Sequence, residues 1–230
     1  MVKQLLVLSL TGAVVLWSTA FAGTVTLPGI SGGLQVDVSS FKEQRFGSVL
    51  QQQYDFSCGS AAIASLLSYH YNHDFSEQEV FSRMFALADP EKVRQEGFSM
   101  LDMKRFLETE GYQADGFRMP LSGLRETVSL PVIVLMNLKG FRHFVVIKGI
   151  SDDEVFVGDP ARGLKAYPRA EFEHYWDGAA FVIRSHLQQG RSSFLSDGNW
   201  PHIVRAPLDK GQNGPSLGHT LPYWPSAREW

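Results

Sequence analysis

The sequence predicts an α+β domain in which helices come first and an antiparallel sheet follows. Two observations support this prediction. Between Cys58 and Gly111 the apolar residues recur at helical spacing, whereas from Pro131 to Ile183 short runs rich in β-branched residues alternate with turn residues. Helical segments that precede the strands, rather than alternating with them, are typical of an α+β architecture.

A secretory signal peptide is predicted over residues 1–22. A basic start at Lys3 and a short apolar stretch precede Ala20-Phe21-Ala22, a small-residue pattern typical of a cleavage site. The apolar stretch is shorter than the roughly 20 residues that a membrane-spanning helix needs, so we expect cleavage and no stable membrane insertion afterwards. The mature protein is therefore expected in the periplasm, with an N-terminal arm over residues 23–44. Residues 23–50 are interpreted as one or two short strands or as an extended arm that leads to Cys58.

Three helices are predicted in the first half of the domain. The first begins at Cys58 and ends near Asn72, and the second follows a capping-box pattern that starts at Ser76. The third begins at Ser99 and stops at Gly111, a plausible C-terminal glycine. Cys58 is therefore expected at the first turn of a buried helix.

Four strands are predicted in the second half, and turn residues separate them. The first two form a hairpin around Lys139-Gly140, and the third is followed by a turn over residues 159–163. The predicted strands are Pro131–Leu138, Phe141–Ile150, Glu154–Val157 and Ala179–Ile183. Together with the helices they define a predicted domain over residues 45–186.

The last segment, residues 187–230, is rich in Gly, Pro, Ser and Asn and shows no sustained period. It is predicted to be an irregular tail. Two interpretations remain open: a disordered end, or a strap whose aromatic residues, such as Phe194 and Trp200, dock on the domain or on a partner.

Composition excludes several classes of function. The formal net charge is −3, and no basic run is interleaved with aromatic residues, so nucleic acid is not an expected partner. No nucleotide-binding glycine loop and no serine-hydrolase GxSxG motif is present. His70 and His73 could suggest a metal pair, but no HExxH motif or second ligand cluster accompanies them, and a solvated helix end explains them better. We predict no metal and no cofactor.

The chain has one cysteine, which an exported protein cannot use for an internal disulfide. Two readings of Cys58 are open at this point, a small buried hydrophobic residue or a nucleophile. A thiol at a helix N-terminus faces unsatisfied backbone N–H groups and the positive end of the helix dipole, which favour the thiolate. Its position therefore favours the nucleophile.

Three further residues could complete a catalytic group, although each signal is weak alone. Gln52, six residues before Cys58, could donate a hydrogen bond to an oxyanion. His143 lies near the start of an apolar strand and could act as the base. Asp159 follows the next strand and could orient the imidazole. The combination is a Cys-His-Asp triad with a glutamine donor.

Four stretches of the chain resemble the bacteriocin-processing, double-glycine peptidase family, whose fold is papain-like. They are residues 52–67 (QQYDFSCGSAAIASLL), 97–99 (GFS), 140–146 (GFRHFVV) and 158–160 (GDP). The resemblance implies a polypeptide substrate, cleavage after small residues such as Gly-Gly, Cys58 as nucleophile, His143 as base, Asp159 as its orienting partner and Gln52 as oxyanion donor.

The export signal, without transporter helices or a nucleotide-binding domain, resembles the stand-alone secreted form of this family found in bacterial functional-amyloid export systems. That likeness implies amyloid subunits or their export machinery as substrate. Two alternatives remain open at this point. One is a non-catalytic peptide-binding module or export chaperone on the same fold, and the other is a transglutaminase-like acyltransferase that uses the same three residues.

Overall fold

The computed structural model describes residues 24–26, 35–37, 40–196, 198 and 200. The predicted signal peptide and most of the predicted tail lie outside these residues. The chain divides into two units, Met1–Phe41 and Lys42–Trp230. Within the first unit, strand β1 (Thr24–Thr26) pairs antiparallel with β2 (Gln35–Asp37), as expected for an arm with short strands. A short helix, α1 (Phe41–Arg45), was not predicted.

One six-stranded antiparallel sheet organises the second unit. Its strands are β3 (Ala114–Arg118), β4 (Val132–Leu138), β5 (Phe141–Ile150), β6 (Glu154–Asp159), β7 (Gly163–Pro168) and β8 (Trp176–Ile183). Their order across the sheet is β3-β8-β4-β5-β6-β7. The predicted hairpin joins β4 and β5, and both turn residues, Lys139 and Gly140, adopt the positive φ that a tight two-residue turn requires.

Three helices cover one face of this sheet: α2 (Cys58–His70), α3 (Glu77–Leu87) and α5 (Met100–Thr109). All three begin where the sequence predicted. The hydroxyls of Ser76 and Ser99 fix the starts of α3 and α5, because they accept hydrogen bonds from backbone N–H groups of the first turns. The apolar side of α2, including Ile63 and Leu66, packs with Phe144 and Val146 of β5 in one buried cluster. This cluster fixes α2 against the strand that carries His143.

A second apolar cluster fills the opposite face of the sheet. In this cluster, buried residues of the central strands pack against Leu121 and Leu124 of a short helical segment and against Phe172 of a helix that follows β7. The sequence analysis predicted neither helical element. These elements are α6 (Leu121–Gly123), a π-helical turn (Leu124–Val128) and α7 (Arg169–Tyr175). The sheet therefore lies between two helical layers, and the sequence predicted only the first of them.

The described residues after β8 follow the domain. Residues 187–192, predicted as irregular, form a helix, α8 (Leu187–Ser192). Leu195 then pairs in parallel with Gly149 of β5, and the indole of Trp200 stacks on Phe156 with ring centroids 5.2 Å apart. We call residues 187–200 the strap. No helix among the described residues is long and apolar enough to cross a membrane.

Candidate active site

Cys58 is the first residue of α2, as predicted. The preceding residue, Ser57, uses its hydroxyl to accept from the Tyr54 N–H and to donate to the Tyr54 carbonyl, both at 3.1 Å, so it caps none of the helix N–H groups. The backbone N–H groups of the first turn therefore remain available as hydrogen-bond donors beside the thiol. Cys58 is 7% exposed and lines a cleft that is described below.

His143 and Asp159 form a buried pair on neighbouring strands. His143 lies on β5, and Asp159 is the last residue of β6. The sequence had placed Asp159 at the first position of the turn that follows this strand. The two atoms His143 Nε2 and Asp159 Oδ1 are 2.7 Å apart, and each residue is 1% exposed. The same Oδ1 accepts the backbone N–H groups of Ala161 at 2.8 Å and Arg162 at 3.1 Å. The Asp159 carboxylate is thus held in place by its own turn.

The protonation of His143 is set by two opposing effects. Burial favours the neutral imidazole, but hydrogen bonds and charge interactions with Asp159 and Cys58 outweigh it and raise the pKa of His143 to about 9. Burial also opposes ionisation of Asp159, but the His143 hydrogen bond and the two backbone N–H groups keep the pKa of that carboxyl below its usual value. At neutral pH the pair is therefore an imidazolium and a carboxylate.

The second ring nitrogen of His143 completes the arrangement. Because Nε2 is bound to Asp159, Nδ1 is the atom left for Cys58. Nδ1 is buried and has no hydrogen-bond partner among the described residues. The structure thus brings Cys58, His143 and Asp159 together, with the imidazole bound to the carboxylate and interacting with the thiol. Their catalytic roles stay a prediction.

Gln52 is bound to the neighbouring loops rather than to Cys58, His143 or Asp159. Its backbone N–H donates to the carbonyl of Pro160 at 3.0 Å, so the loop before α2 is tied to the turn that holds Asp159. Its side-chain Nε2 donates to the carbonyl of Tyr54 at 2.9 Å. Among the hydrogen bonds of the described residues, none joins the Gln52 side chain to Cys58 or His143. The second N–H of the amide remains available for the predicted oxyanion role.

A cleft of about 470 Å³ opens beside Cys58. Its walls come from α2, from α4 (Pro90–Glu96), from the start of α5 and from the ends of β3, β4, β5 and β8. Apolar side chains such as Phe98, Leu135 and Phe144 line it together with the backbone at Gly97. Charged residues line it as well, and the sequence analysis gave none of them a role. For Arg142 a signal was present, because it stands in an otherwise largely apolar strand directly before His143.

His70 is not at a solvated helix end, and that prediction was wrong. It is 5% exposed, its Nδ1 lies 2.8 Å from the hydroxyl of Ser193 in the strap, and its Nε2 lies 2.6 Å from Lys148 Nζ. Burial and the neighbouring lysine hold the pKa of His70 well below its ordinary value. Burial also lowers the pKa of Lys148 to about 7.

His73 is likewise used inside the protein, where its Nδ1 lies 3.2 Å from the hydroxyl of Tyr112 and its ring contacts Phe75. The part of the chain that the structure describes contains no group of three or more His, Cys, Asp or Glu side chains that could hold a metal ion.

Comparison with known proteins gives consistent results. The Peptidase C39 family model matches residues 47–187. The chain is 44% identical over 167 residues to a Pseudomonas aeruginosa protein named "Probable functional amyloid protease FapD", covering 72% of this chain and 74% of that protein. A Pseudomonas fluorescens protein of the same name is 40% identical over 166 residues, covering 71% and 73%.

Among solved structures, the chain is similar to a double glycine motif protease from an AMS/PCAT transporter in complex with the leader peptide. The TM-score is 0.51 and the identity 27%, over 59% of this chain and 89% of that one. The predicted α+β fold and the predicted family resemblance are thereby confirmed.

Proposed function

Because this chain belongs to the Peptidase C39 family and is a cysteine peptidase, we propose that it is an exported endopeptidase of a bacterial functional-amyloid system, cleaving a polypeptide after small residues such as Gly-Gly. The observation that carries the proposal is that Cys58 opens α2 beside a cleft and interacts with His143, whose Nε2 is bound to Asp159. The family relatives named as functional amyloid proteases support the substrate class, and the predicted signal peptide supports export to the periplasm.

The proposed reaction is acyl transfer to the thiol and then to water. The Cys58 thiolate attacks the scissile carbonyl carbon, and the carbonyl oxygen becomes an oxyanion that accepts the Cys58 backbone N–H and the Gln52 amide. His143, an imidazolium at neutral pH, gives its Nδ1 proton to the departing amine, which leaves a thioester on Cys58. Neutral His143 then takes a proton from water, and the hydroxide formed at the thioester carbon releases the acid and restores the thiolate–imidazolium pair.

The alternative of a non-catalytic peptide-binding module is not favoured, because the two similar Pseudomonas proteins are both named proteases. A transglutaminase-like transfer would use the same residues but would require an amine acceptor, which can be added to the same assay.

The test measures two properties of the reduced mature protein. Cys58 should be alkylated by iodoacetamide at pH 6, where an ordinary thiol with a pKa of roughly 8.5 is almost wholly protonated, and His143→Ala should abolish this reactivity. Peptides that contain Gly-Gly should be cleaved by the wild type and by no Cys58→Ala preparation. An inert thiol at pH 6 together with uncleaved but tightly bound peptides would instead establish a binding protein.

A further inference from the structure

Five charged side chains line the cleft beside Cys58, and two of them pair with each other. Arg118 donates to the backbone carbonyl of Asp177 at 2.6 Å and its Nη2 lies 3.0 Å from the carboxylate Oδ2 of the same residue. Lys92 and Glu96 stand one turn apart on α4, on the helical wall of the cleft. The fifth is Arg142, which belongs to the strand that carries His143.

The guanidinium of Arg142 forms no ion pair with the carboxylates that line the same cleft. Among the described residues it takes part in no ion pair, side-chain hydrogen bond or ring contact, and the residue is exposed. A cation that faces a peptide-binding cleft without a partner is ready to bind an anionic group of a ligand, because little has to be displaced or broken first.

The register of the sheet fixes where Arg142 stands. On β5, Arg142 pairs with Asn137 and Phe144 pairs with Leu135 of β4. Alternate residues of a strand share one face, so Arg142 lies on the same face as Phe144, and both Phe144 and Leu135 line the cleft. Arg142 and Cys58 line the same cleft, so a peptide whose scissile bond lies at Cys58 passes Arg142 with residues close to that bond.

We propose that Arg142 determines substrate specificity by binding the carboxylate of an Asp or Glu that lies within about three residues of the cleaved bond. The inference rests on the proposed function and names its substrate class, an acidic cleavage site. A planar guanidinium matches a carboxylate with two parallel hydrogen bonds, which a lysine could not offer. Because the pair is exposed to water, the expected gain in kcat/KM is about two- to fivefold.

The experiment compares a neutral peptide containing Gly-Gly with six derivatives, each carrying one Asp in place of Asn at one of the three positions on either side of the cut. We expect one position at which Asp raises kcat/KM for the wild type two- to fivefold. Arg142→Gln should abolish that preference, whereas the control Lys139→Gln, which removes an exposed cation from the turn of the same hairpin, should keep it. Equal rates for Asp and Asn peptides at every position in the wild type would overturn the proposal.

Charge reversal and binding separate this inference from the proposed function. Arg142→Glu should prefer Lys over Asp at the same position, a result that general damage to the site cannot produce. Fluorescence anisotropy with the Cys58→Ala protein then measures peptide affinity without cleavage. If the Asp peptide binds more tightly than the Asn peptide to Cys58→Ala, and this difference is lost in Cys58→Ala/Arg142→Gln, the role of Arg142 is supported. That result holds even if the wild type cuts no peptide, in which case only the peptidase proposal is refuted. If no peptide is bound or cut, both proposals fail.

Discussion

The charge of Asp159 should control the protonation of His143, and Asp159→Asn tests this without removing the hydrogen bonds. An asparagine oxygen can accept the same three bonds, from His143 Nε2 and from the backbone N–H groups of Ala161 and Arg162. Only the negative charge is lost. The difference between the ordinary value of 6.5 and a His143 pKa of about 9 corresponds to roughly 3 kcal/mol in favour of the imidazolium, and Asp159 is its leading favourable contributor.

We therefore expect Asp159→Asn to lower the pKa of His143 by at least one pH unit while the fold is retained. The assay is an NMR titration of the imidazole Cε1–H signal, assigned with the His143→Ala variant, followed by the alkaline limit of kcat/KM. Asp159→Ala serves as the contrasting variant, because it leaves the buried Nε2 of His143 without its acceptor and should cost about 1–3 kcal/mol of unfolding free energy. An unchanged His143 titration in Asp159→Asn would refute the argument that this carboxylate charge holds the proton.

Two further predictions concern the strap and the residues beneath it. Burial lowers the pKa of Lys148 from 10.5 to about 7 in the folded protein, so the wild type loses stability progressively as the pH falls from 10.5 to about 7. The unfolding free energy of Lys148→Met, relative to that of the wild type, should therefore rise by roughly 2 kcal/mol between pH 9 and pH 7. Chemical denaturation measures this difference, and a difference that does not change with pH would show that burial does not lower the pKa of this lysine. A Cβ at Gly149 would lie 2.5 Å from the carbonyl oxygen of Leu195, so Gly149→Ala should detach the strap and lower the unfolding free energy by about 1–3 kcal/mol. Limited proteolysis should then cut the segment after residue 187. The control Gly116→Ala should behave as the wild type, because its Cβ would lie at an ordinary contact distance from the sulfur of Met100.

The helices and strands that the sequence predicted are those with many buried apolar residues. The missed elements have few. Helix α4 is seven residues long and buries one side chain, Val93, so it offers no apolar period, although Asp89 and Pro90 form a normal start signal. Strand β3 is an edge strand with one buried residue, Ala114, so its alternation is too weak to recognise.

The candidate site could be proposed from the sequence because its residues stand out within short stretches of the chain. Cys58 opens a helix and His143 interrupts an apolar strand, and these features are visible in short stretches of sequence. The environment of His70 had no such signal, because its partners Lys148 and Ser193 come from distant parts of the chain. A buried polar contact between segments so far apart in sequence cannot be read from spacing alone.

The nucleophile and its imidazole are supplied by different layers of the domain, Cys58 by the helical layer and His143 by the sheet. Neither layer alone can cut a peptide, and the carboxylate that holds the imidazole arrives last, at the end of β6. A chain that is still unfolded, or has been made only as far as β5, is therefore inert. Docking of α2 on the sheet is therefore the folding step that assembles the proposed catalytic group.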